Sequence, residues 1–526
     1  MTEHRKKCVI AVTLLLMFLF GMHFVREAGV YFDEASEQRI LYNNILQYSE
    51  TFHVEKLAGW FRGRGAIPIC EDIEMDHGIA PYYLSVPFLI LTDGRANMQS
   101  LVWHIYTYLL FFCGVIAMYR LVYEIFHSRI TALTGAMLLF FSPRIFADGL
   151  YNNKDTVLLS MVIIMLLYGV RFFDRRDTKS AVMLGIVAGI ACNLKVSGIY
   201  VFALIGGYYI VMLSFRKQWN RQRFLAGVIA AVTGFLSYLI LTPAIWGQGF
   251  HLIRFLEWNL SNTVNFSRID GTVLFEGELY KHSVNPLPWY YLPKIIALTI
   301  PIHVLGLILA SVILWLIRCR KCGRAEQLYP LFAVIPIMPL VVAMMSQPNL
   351  YNGWRHFYFI YGPMICMAVY TVHWLFYNIR YRRAAEGIMI LLIMTDIVGI
   401  AKYGIGSVAY TSLLAGGDAQ GRYEMDYYGV TSAKIMKSLV DRYGTIALSS
   451  DANGAVIVNW QALSPEYQER IRLLYSEDDI RAAVERGEKA LGFVNTSYDV
   501  LDDTGVNWLE EWTAWGNTYV KIRQYE

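Results

Sequence analysis

Two adjacent acidic residues, Asp33 and Glu34, stand just beyond an apolar N-terminal run in a chain that is otherwise strongly hydrophobic. Ionised groups beside hydrocarbon are costly, so a pair in that place needs a reason to be there. A carboxylate that is partly desolvated at a bilayer edge gains basicity, which suits a general base for an attacking hydroxyl. Asp33 is therefore the candidate base, with Glu34 beside it. The alternative is structural, because Asp is also favoured at the start of a helix.

A second group of polar residues lies between two apolar runs, in the segment 142–156. Its charged members include Arg144, Lys154 and Asp155, which is more charge than a turn requires. Arg144 and Lys154 could bind an anionic ligand, and Asp155 could face Asp33 across a cavity. Asp155 also stands where the next helix would begin, so a capping role is the alternative.

Three further basic residues come later in the chain. Arg355 and His356 precede an apolar run, and the forked guanidinium group of arginine suits a phosphate. An interface anchor is the alternative for Arg355, since Arg and Trp often end membrane helices. Lys195 stands alone between two short apolar runs. It is either a phosphate ligand or a side chain that snorkels to the interface.

The elements that must position these residues are membrane helices. The chain has 526 residues, of which 56% are hydrophobic and 17% charged, and the apolar residues come in long blocks. Blocks of about 16 to 23 residues are long enough to cross a bilayer as helices. About eleven are present, near 8–24, 101–123, 130–147, 156–172, 180–194, 198–214, 224–246, 292–317, 328–345, 357–377 and 385–403.

The distribution of Lys and Arg predicts the orientation of these helices. With the N-terminus in the cytoplasm, the basic clusters of alternate loops fall on the cytoplasmic side, as membrane proteins prefer. The segment 25–100 and everything after about residue 404 are then extracytoplasmic. The first apolar run lacks a small-residue cleavage site, so we interpret it as a retained signal anchor.

A change in composition near residue 404 predicts two domains, a membrane domain over 1–403 and a soluble extracytoplasmic domain over 404–526. Short apolar runs alternate with amphipathic segments in the second domain, which predicts a small α/β fold. Predicted strands are 445–449, 455–460, 490–495 and 518–523. Predicted helices are 434–442, 466–474 and 479–486.

Two segments have residues of the types that bind metals. The long loop 53–83 contains five such side chains that could chelate a divalent cation, Glu71, Asp72, Glu74, Asp76 and His77. The pair Cys319 and Cys322 has the spacing of a metal site but lacks a second pair. Most charges on a solvated loop bind nothing, so we expect no required cofactor and assign no metal ligand.

Taken in order, the polar motifs resemble those of glycosyltransferase family 39, the dolichyl-phosphate-mannose–protein mannosyltransferases and their bacterial relatives. The matching motifs cover most of residues 1–400 and lie on one predicted face. They are Asp33-Glu34, Ser142-Pro143-Arg144, Asn152-Asn153-Lys154-Asp155, Leu287-Pro288-Trp289-Tyr290-Tyr291-Leu292-Pro293 and Tyr351-Asn352-Gly353-Trp354-Arg355-His356-Phe357-Tyr358-Phe359, with Glu424-Met425-Asp426-Tyr427-Tyr428-Gly429 resembling bacterial members.

The resemblance implies a GT-C membrane fold and a catalytic Asp33, with Glu34 beside it and a second acid at Asp155. It also implies that Arg355 and His356 lie near the donor phosphate, where Lys195, Lys154 and Arg144 could assist. The expected enzyme is an inverting glycosyltransferase of the bacterial inner membrane that moves a sugar from a polyprenyl phosphate to a hydroxyl group.

The expected partners are the lipid-linked donor, membrane lipid and an acceptor that is a protein, a lipid or a glycan. Nucleic acid is not among the expected partners. Two other functions remain open from the sequence, a transporter or lipid flippase and a glycan ligase or polymerase that uses a lipid diphosphate. The inverted repeats and paired broken helices that mark many transporters are not evident in the sequence.

Overall fold

The apolar runs of the first 403 residues form helices, as their length and composition predict. The computed structural model describes residues 3–247, 249–265, 270–321, 323–450, 454–497, 506 and 508–526. Its helices up to residue 403 are α1 (Glu3–Phe24), α2 (Glu34–Thr51), α3 (Glu55–Arg62), α4 (Val86–Leu91), α5 (Ala96–Phe126), α6 (Arg129–Phe140), α7 (Pro143–Asp148), α8 (Asp155–Arg175), α9 (Thr178–Leu194), α10 (Val196–Phe215), α11 (Arg221–Leu241), α12 (Leu252–Asn265), α13 (Tyr291–Thr299), α14 (Ile302–Arg318), α15 (Arg324–Ser346), α16 (Tyr361–Asn378) and α17 (Arg382–Tyr403).

Within the described ranges, nine helices are long and apolar enough to cross a membrane. They are α1, α5, α8, α10, α11, α14, α15, α16 and α17, some of them with a flanking turn. The chain is therefore a multi-pass membrane protein. The helices α8 and α16 are the most enclosed, with 83% of the apolar window of each buried inside the protein. These two helices form the centre of the bundle, and each begins close to a residue that the sequence nominated for the site.

Three of the eleven predicted spans differ from the structure. The run 292–317 is not one helix, because the chain turns at Ile300 and Pro301 between α13 and α14. The run 130–147 was wrong as one span, because the chain turns at Ser142 and Pro143 into the separate short helix α7. Proline cannot donate the backbone bond that would continue α6, so it starts a new helix instead. The run 180–194 forms α9, which has 17 residues and is shorter than the other spans.

The long outer loop after α1 is itself helical, since it contains α2, α3 and α4. A second outer loop contains α12 and a two-stranded hairpin of β1 (Thr272–Phe275) and β2 (Glu278–Lys281). The first of these loops packs on the end of α11, where Tyr48 of α2 donates to the carbonyl of Ile240.

A five-stranded sheet forms the last part of the chain. Its elements are α18 (Ser432–Tyr443), β3 (Ile446–Ser450), α19 (Ala455–Gln461), α20 (Pro465–Gln468), β4 (Ile471–Leu474), α21 (Glu477–Glu485), β5 (Ala490–Asn495), β6 (Trp508–Ala514) and β7 (Asn517–Gln524). The strand order is β4-β3-β5-β7-β6, with β3 parallel to β4 and β5, and β7 antiparallel to β5 and β6. This arrangement confirms the predicted α/β character.

Two predicted elements of this part are wrong. The run 455–460 is a helix, α19, whose buried residues Ala455, Val456 and Asn459 have the spacing of one helical face. The predicted helix 466–474 is instead the single turn α20 followed by β4, which pairs with β3. Short apolar runs fit either period, and only the neighbouring strand selects one of them.

Between α17 and α18 the chain crosses back over the membrane helices instead of leaving them. The segment 404–431 is largely buried and places Glu424 and Tyr428 against the outer ends of the bundle. The predicted boundary near residue 404 stays a prediction.

Candidate functional site

The loop that leads to Asp33 is held in place by the C-terminal part of the chain. The backbone N–H of Gly29 donates to the carbonyl of Val430 at 2.7 Å. Asn459 of α19 binds Val30 through both sides of its amide, accepting from the N–H at 2.8 Å and donating to the carbonyl at 2.9 Å. A side chain at Gly29 would meet the Asn459 oxygen at 2.1 Å, so only glycine fits there. Asp33 then occupies the N-cap position of α2, but its side chain makes no capping bond.

Asp155 begins α8 without capping it. The capping oxygen belongs to Asn152, whose side chain accepts from the Asp155 backbone N–H at 2.8 Å. The Asp155 carboxylate, which is only 1% exposed, instead accepts from the ammonium group of Lys195 at 2.6 Å. Its charge is therefore turned toward the interior, which argues against the capping role.

Arg355 reaches the same place from a tight turn before α16. Asn352 and Gly353 both have left-handed backbone angles, with φ of 59° and 66°. The backbone N–H of Gly353 donates to the carboxylate of Glu424 at 2.9 Å, which ties the turn to the segment after the last membrane helix. This turn aims the guanidinium group of Arg355 at both candidate acids.

Four of the predicted site residues form one ion cluster with Asp33 at its edge. Arg355 lies 3.3 Å from Asp155 and 4.0 Å from Asp33, measured between guanidinium nitrogen and carboxylate oxygen. Lys195 bridges Asp155 and the ring nitrogen Nδ1 of His356, the latter at 3.4 Å. The structure therefore brings together Asp33, Asp155, Lys195, Arg355 and His356, from four separate parts of the chain.

The members of the cluster differ in exposure. The Asp33 side chain is 40% exposed, whereas those of Asp155 and Arg355 are 1% and 8% exposed. Desolvation raises the pKa of Asp33, and the guanidinium charge of Arg355 partly opposes that rise. Desolvation also lowers the pKa of Lys195, against the attraction of Asp155. Asp33 is thus the accessible acid with raised basicity, as a general base requires.

Aromatic rings enclose the guanidinium group of Arg355. Its central carbon lies 5.0 Å from the ring centre of Tyr351 and 5.2 Å from that of Tyr428. Cation–π contacts at these distances attract the guanidinium group and help to hold it in place. Arg355 is therefore a fixed cation, able to act on a ligand charge without first reorganising.

Lys154 belongs to a second ion pair beside Asp33. Its ammonium group donates to Glu37 at 3.0 Å, and both side chains are about a tenth exposed. Glu37 lies one helical turn beyond Asp33 on α2, and its charge contributes to the raised pKa of Asp33. The structure therefore places Lys154 beside the candidate base, although its bond is to a residue that the sequence analysis missed.

Glu34 is turned away from the ion cluster. Its carboxylate is buried, lies 2.9 Å from the ring nitrogen Nε2 of His104 on α5, and accepts from Gln38 at 3.2 Å. The contact with His104 fastens α2 to the membrane helix α5, whereas Gln38 lies on α2 itself. The two adjacent acids thus point in different directions, and only Asp33 faces the cluster.

Arg144 is also placed apart from the cluster. Its guanidinium group is buried and donates to the backbone carbonyls of Val408, Glu424 and Met425 at 2.9 to 3.1 Å. These bonds join α7 to the segment that follows the last membrane helix. The structure therefore does not bring Arg144 to the ion cluster.

Three residues near the site were missed by the sequence analysis. Glu37 could have been found from its spacing of four from Asp33, because such residues share one helix face. Glu424 and Tyr428 lie in a motif that the resemblance included, but no local pattern assigns them a role. Burial raises the pKa of Glu424 to about 7, while the bond from Gly353 opposes the rise.

A possible cation site is limited to part of the predicted cluster. Among the described residues, Glu74, Asp76 and His77 present ligand atoms within 4.8 Å of one another. Asp72 instead accepts from Asn43 at 2.6 Å. Cys322 lies outside the described residues, so the structure does not describe the Cys319 pair.

Comparison with protein families confirms the predicted resemblance. Residues 77–246 match the family model described as dolichyl-phosphate-mannose-protein mannosyltransferase. This segment includes Lys154, Asp155 and Lys195 of the site. The predicted class of enzyme, a glycosyltransferase, is likewise confirmed. No curated protein sequence matches the chain.

Comparison with solved structures confirms the predicted GT-C-like fold class. An oligosaccharyltransferase from Archaeoglobus fulgidus, tethered to an acceptor peptide, has a TM-score of 0.52 at 10% identity over 94% of this chain and 70% of that chain. The same organism's AglB, in complex with an inhibitory peptide and a dolichol-phosphate, has a TM-score of 0.50 at 11% identity over 93% and 69%. ArnT from Cupriavidus metallidurans, bound to undecaprenyl phosphate, has a TM-score of 0.47 at 10% identity over 99% and 98%.

Proposed function

We propose that this glycosyltransferase moves a sugar from a polyprenyl phosphate to a hydroxyl group, with inversion at the anomeric carbon and with Asp33 as the base. The observation that supports the proposal most is the 4.0 Å separation between the exposed carboxylate of Asp33 and the guanidinium group of Arg355. A base thus stands next to fixed cations, as the transfer of a glycosyl group from phosphate requires.

In the proposed reaction the acceptor oxygen attacks the anomeric carbon from the face opposite the phosphate. The acceptor proton passes to the Asp33 carboxylate as the new carbon–oxygen bond forms. The bond from the anomeric carbon to the phosphate oxygen breaks, and its electron pair leaves with the phosphate. Arg355, Lys195 and His356 stabilise the second negative charge that then develops on the lipid phosphate. One displacement gives one inversion.

The position of the site suits a donor with a lipid tail. Asp155 begins the membrane helix α8, and Arg355 leads into the membrane helix α16. A phosphate at the level of these helix ends would keep its polyprenyl chain in the bilayer. Dolichol-phosphate in the AglB structure and undecaprenyl phosphate in the ArnT structure are ligands of this chemical type.

The side of the membrane and the acceptor are part of the proposal. From the Lys and Arg distribution we infer a cytoplasmic N-terminus, with the site and the domain 404–526 on the outer side of the membrane. From the resemblance to bacterial members of the family we infer a bacterial inner membrane, so that the outer side is periplasmic. The acceptor peptide of the archaeal oligosaccharyltransferase makes a protein acceptor the first to test, with lipid and glycan acceptors next. We propose no required cofactor, because Arg355 and Lys195 supply the positive charge.

The test is transfer by the purified full-length protein in lipid nanodiscs. Polyprenyl-phosphate mannose, glucose and arabinose are supplied in turn with a mixture of periplasmic acceptors, and release of polyprenyl phosphate is measured. We expect release from at least one of these donors in the wild-type protein and weaker donor use in Arg355→Ala. Release only from a polyprenyl diphosphate sugar would favour the ligase or polymerase function and contradict the proposal.

A further inference from the structure

Buried polar atoms without a partner are concentrated around Asp33. Within the described part of the chain, five such atoms belong to residues of the site or its immediate neighbours. They are Glu37 Oε2, Asn153 Nδ2, Arg355 Nε, His356 Nε2 and Glu424 Oε1. Buried polar atoms are normally hydrogen-bonded, and an unpaired one is destabilising. Their concentration at one place points to a polar ligand that would satisfy them.

Among these five atoms, Glu37 Oε2 is the hydrogen-bond acceptor that lies nearest to Asp33 in the sequence. One of its oxygens is fixed by Lys154 at 3.0 Å, which leaves Oε2 buried and without a partner in the described structure. Its spacing of four from Asp33 puts both carboxylates on one face of α2. Glu37 is the deeper of the two, because its side chain is 8% exposed and that of Asp33 is 40% exposed.

Asn153 supplies a matching donor. Its side-chain oxygen accepts a hydrogen bond from the hydroxyl of Tyr31, which fixes the amide and leaves the Nδ2 group buried without a partner among the described residues. Asn153 directly precedes Lys154, the residue that grips Glu37. The acceptor Glu37 and the donor Asn153 are therefore linked through Lys154, and each has one side-chain atom held by a hydrogen bond.

We propose that Glu37 and Asn153 bind a hydroxyl group of the donor sugar and so help to select the sugar. This inference rests on the proposed function. A hydroxyl both donates and accepts hydrogen bonds, so it can donate to Glu37 Oε2 while it accepts from Asn153 Nδ2. A phosphate suits this pair poorly, because the carboxylate of Glu37 would repel it.

The burial of Glu37 and Asn153 indicates that their ligand is the donor sugar and not the acceptor. The acceptor must reach Asp33, which is the exposed carboxylate, and it must leave after each turnover. The sugar is joined to the phosphate and is enclosed with it, next to Arg355 and Lys195. The buried position of Glu37 and Asn153 therefore fits the enclosed group.

The experiment compares a sugar-bearing lipid phosphate with the same lipid phosphate without its sugar. Binding of polyprenyl-phosphate mannose and glucose, and of polyprenyl phosphate without sugar, is measured on the full-length protein in nanodiscs. For the sugar-bearing lipid that the wild-type protein binds, Glu37→Gln and Asn153→Ala should each weaken binding about ten- to a hundred-fold, with sugar-free lipid changed by less than about twofold. Arg355→Ala should weaken both lipids, which makes it the comparator for phosphate binding.

Asn153→Ala leaves the pair of Glu37 and Lys154 intact, so it tests the inference even where Glu37→Gln folds poorly. A series of monodeoxy donors adds a second readout. Removal of one particular hydroxyl should weaken binding to the wild-type protein, and the same removal should have little further effect in Asn153→Ala, because coupled partners are not additive.

Three results would overturn the inference. Equal weakening of both lipids by Glu37→Gln and Asn153→Ala would show that these residues act on the phosphate through Lys154. Unchanged binding of both lipids would show that only water satisfies these atoms. A wild-type protein that binds neither lipid would refute the proposed function as well, and that outcome is distinct because it does not depend on a substitution.

Discussion

Replacing each of the two adjacent acids by its amide should separate catalysis from stability. Asp33→Asn preserves the shape of the side chain but removes its ability to take a proton, so transfer should fall by about 10²- to 10⁴-fold. Its ion pair with Arg355 is long, at 4.0 Å, and the carboxylate is 40% exposed. Pairs of this kind contribute about 0–1 kcal/mol, so the free energy of unfolding should change by less than about 1 kcal/mol.

Glu34→Gln is the matched control, and the structure predicts the reverse result. Its carboxylate is buried and hydrogen-bonded to His104 and Gln38, so the amide should lower the free energy of unfolding by about 0.5–1.5 kcal/mol. Because Glu34 does not face the cluster, transfer should stay within about tenfold of wild type, which is less than the loss typical of a removed acid–base group.

The assay is release of polyprenyl phosphate per enzyme, set against thermal unfolding of the same preparation in detergent. A pH series adds a second readout. Since partial burial raises the pKa of Asp33, the wild-type rate should rise with pH to a plateau at a pH above the ordinary range of an aspartate. That rise should vanish in Asp33→Asn. Turnover near wild type in Asp33→Asn, or equal losses in both amides, would refute the reasoning.

Three other perturbations test the rest of the site. Asp155→Asn should lower the free energy of unfolding by about 3–5 kcal/mol and abolish transfer, because Lys195 and Arg355 would lose the buried counter-charge that they share. A thermal unfolding curve like that of the wild-type protein would contradict this prediction. Burial raises the pKa of Glu424 from its ordinary 4.5 to about 7, so the native state holds this proton and the resulting stabilisation is lost as pH rises through 7. Between about pH 4.5 and 7 the free energy of unfolding of the wild-type protein should therefore fall by roughly 3 kcal/mol relative to that of Glu424→Gln. Thermal unfolding across this pH range measures the difference, and parallel stability curves for the two proteins would contradict the prediction. Extensive dialysis against EDTA should leave transfer unchanged, whereas a loss restored by one divalent cation would point to the Glu74–His77 cluster.

The sequence by itself determined the class of protein and the order of its main parts. The apolar runs had to become helices, because a bilayer leaves backbone groups no other partner. The eleven predicted runs include the nine helices of the described residues that are long and apolar enough to cross a membrane. It also placed Asp33, Asp155, Lys195 and Arg355 at the ends of runs on one predicted side. Successive loops of a multi-span chain alternate between the two sides of the membrane. The side on which each of these residues lies could therefore be predicted without knowing how the helices pack.

Only the tertiary structure decided which way each side chain turns. Asp33 and Glu34 are neighbours in the sequence, yet one faces the cluster and the other binds His104, because the position of α5 behind α2 selects the direction. Arg144 and Lys195 are both basic residues on the predicted outer side. Arg144 binds backbone carbonyls, whereas Lys195 binds Asp155.

The same reason explains the elements that were assigned wrongly and the residues that were missed. The run 455–460 became a helix and 471–474 a strand through partners distant in sequence, Val30 for α19 and β3 for β4. Glu424 enters the site from the far end of the chain. Local pattern determines where hydrophobic segments lie, whereas the pairing of polar groups depends on contacts across hundreds of residues that no local period encodes.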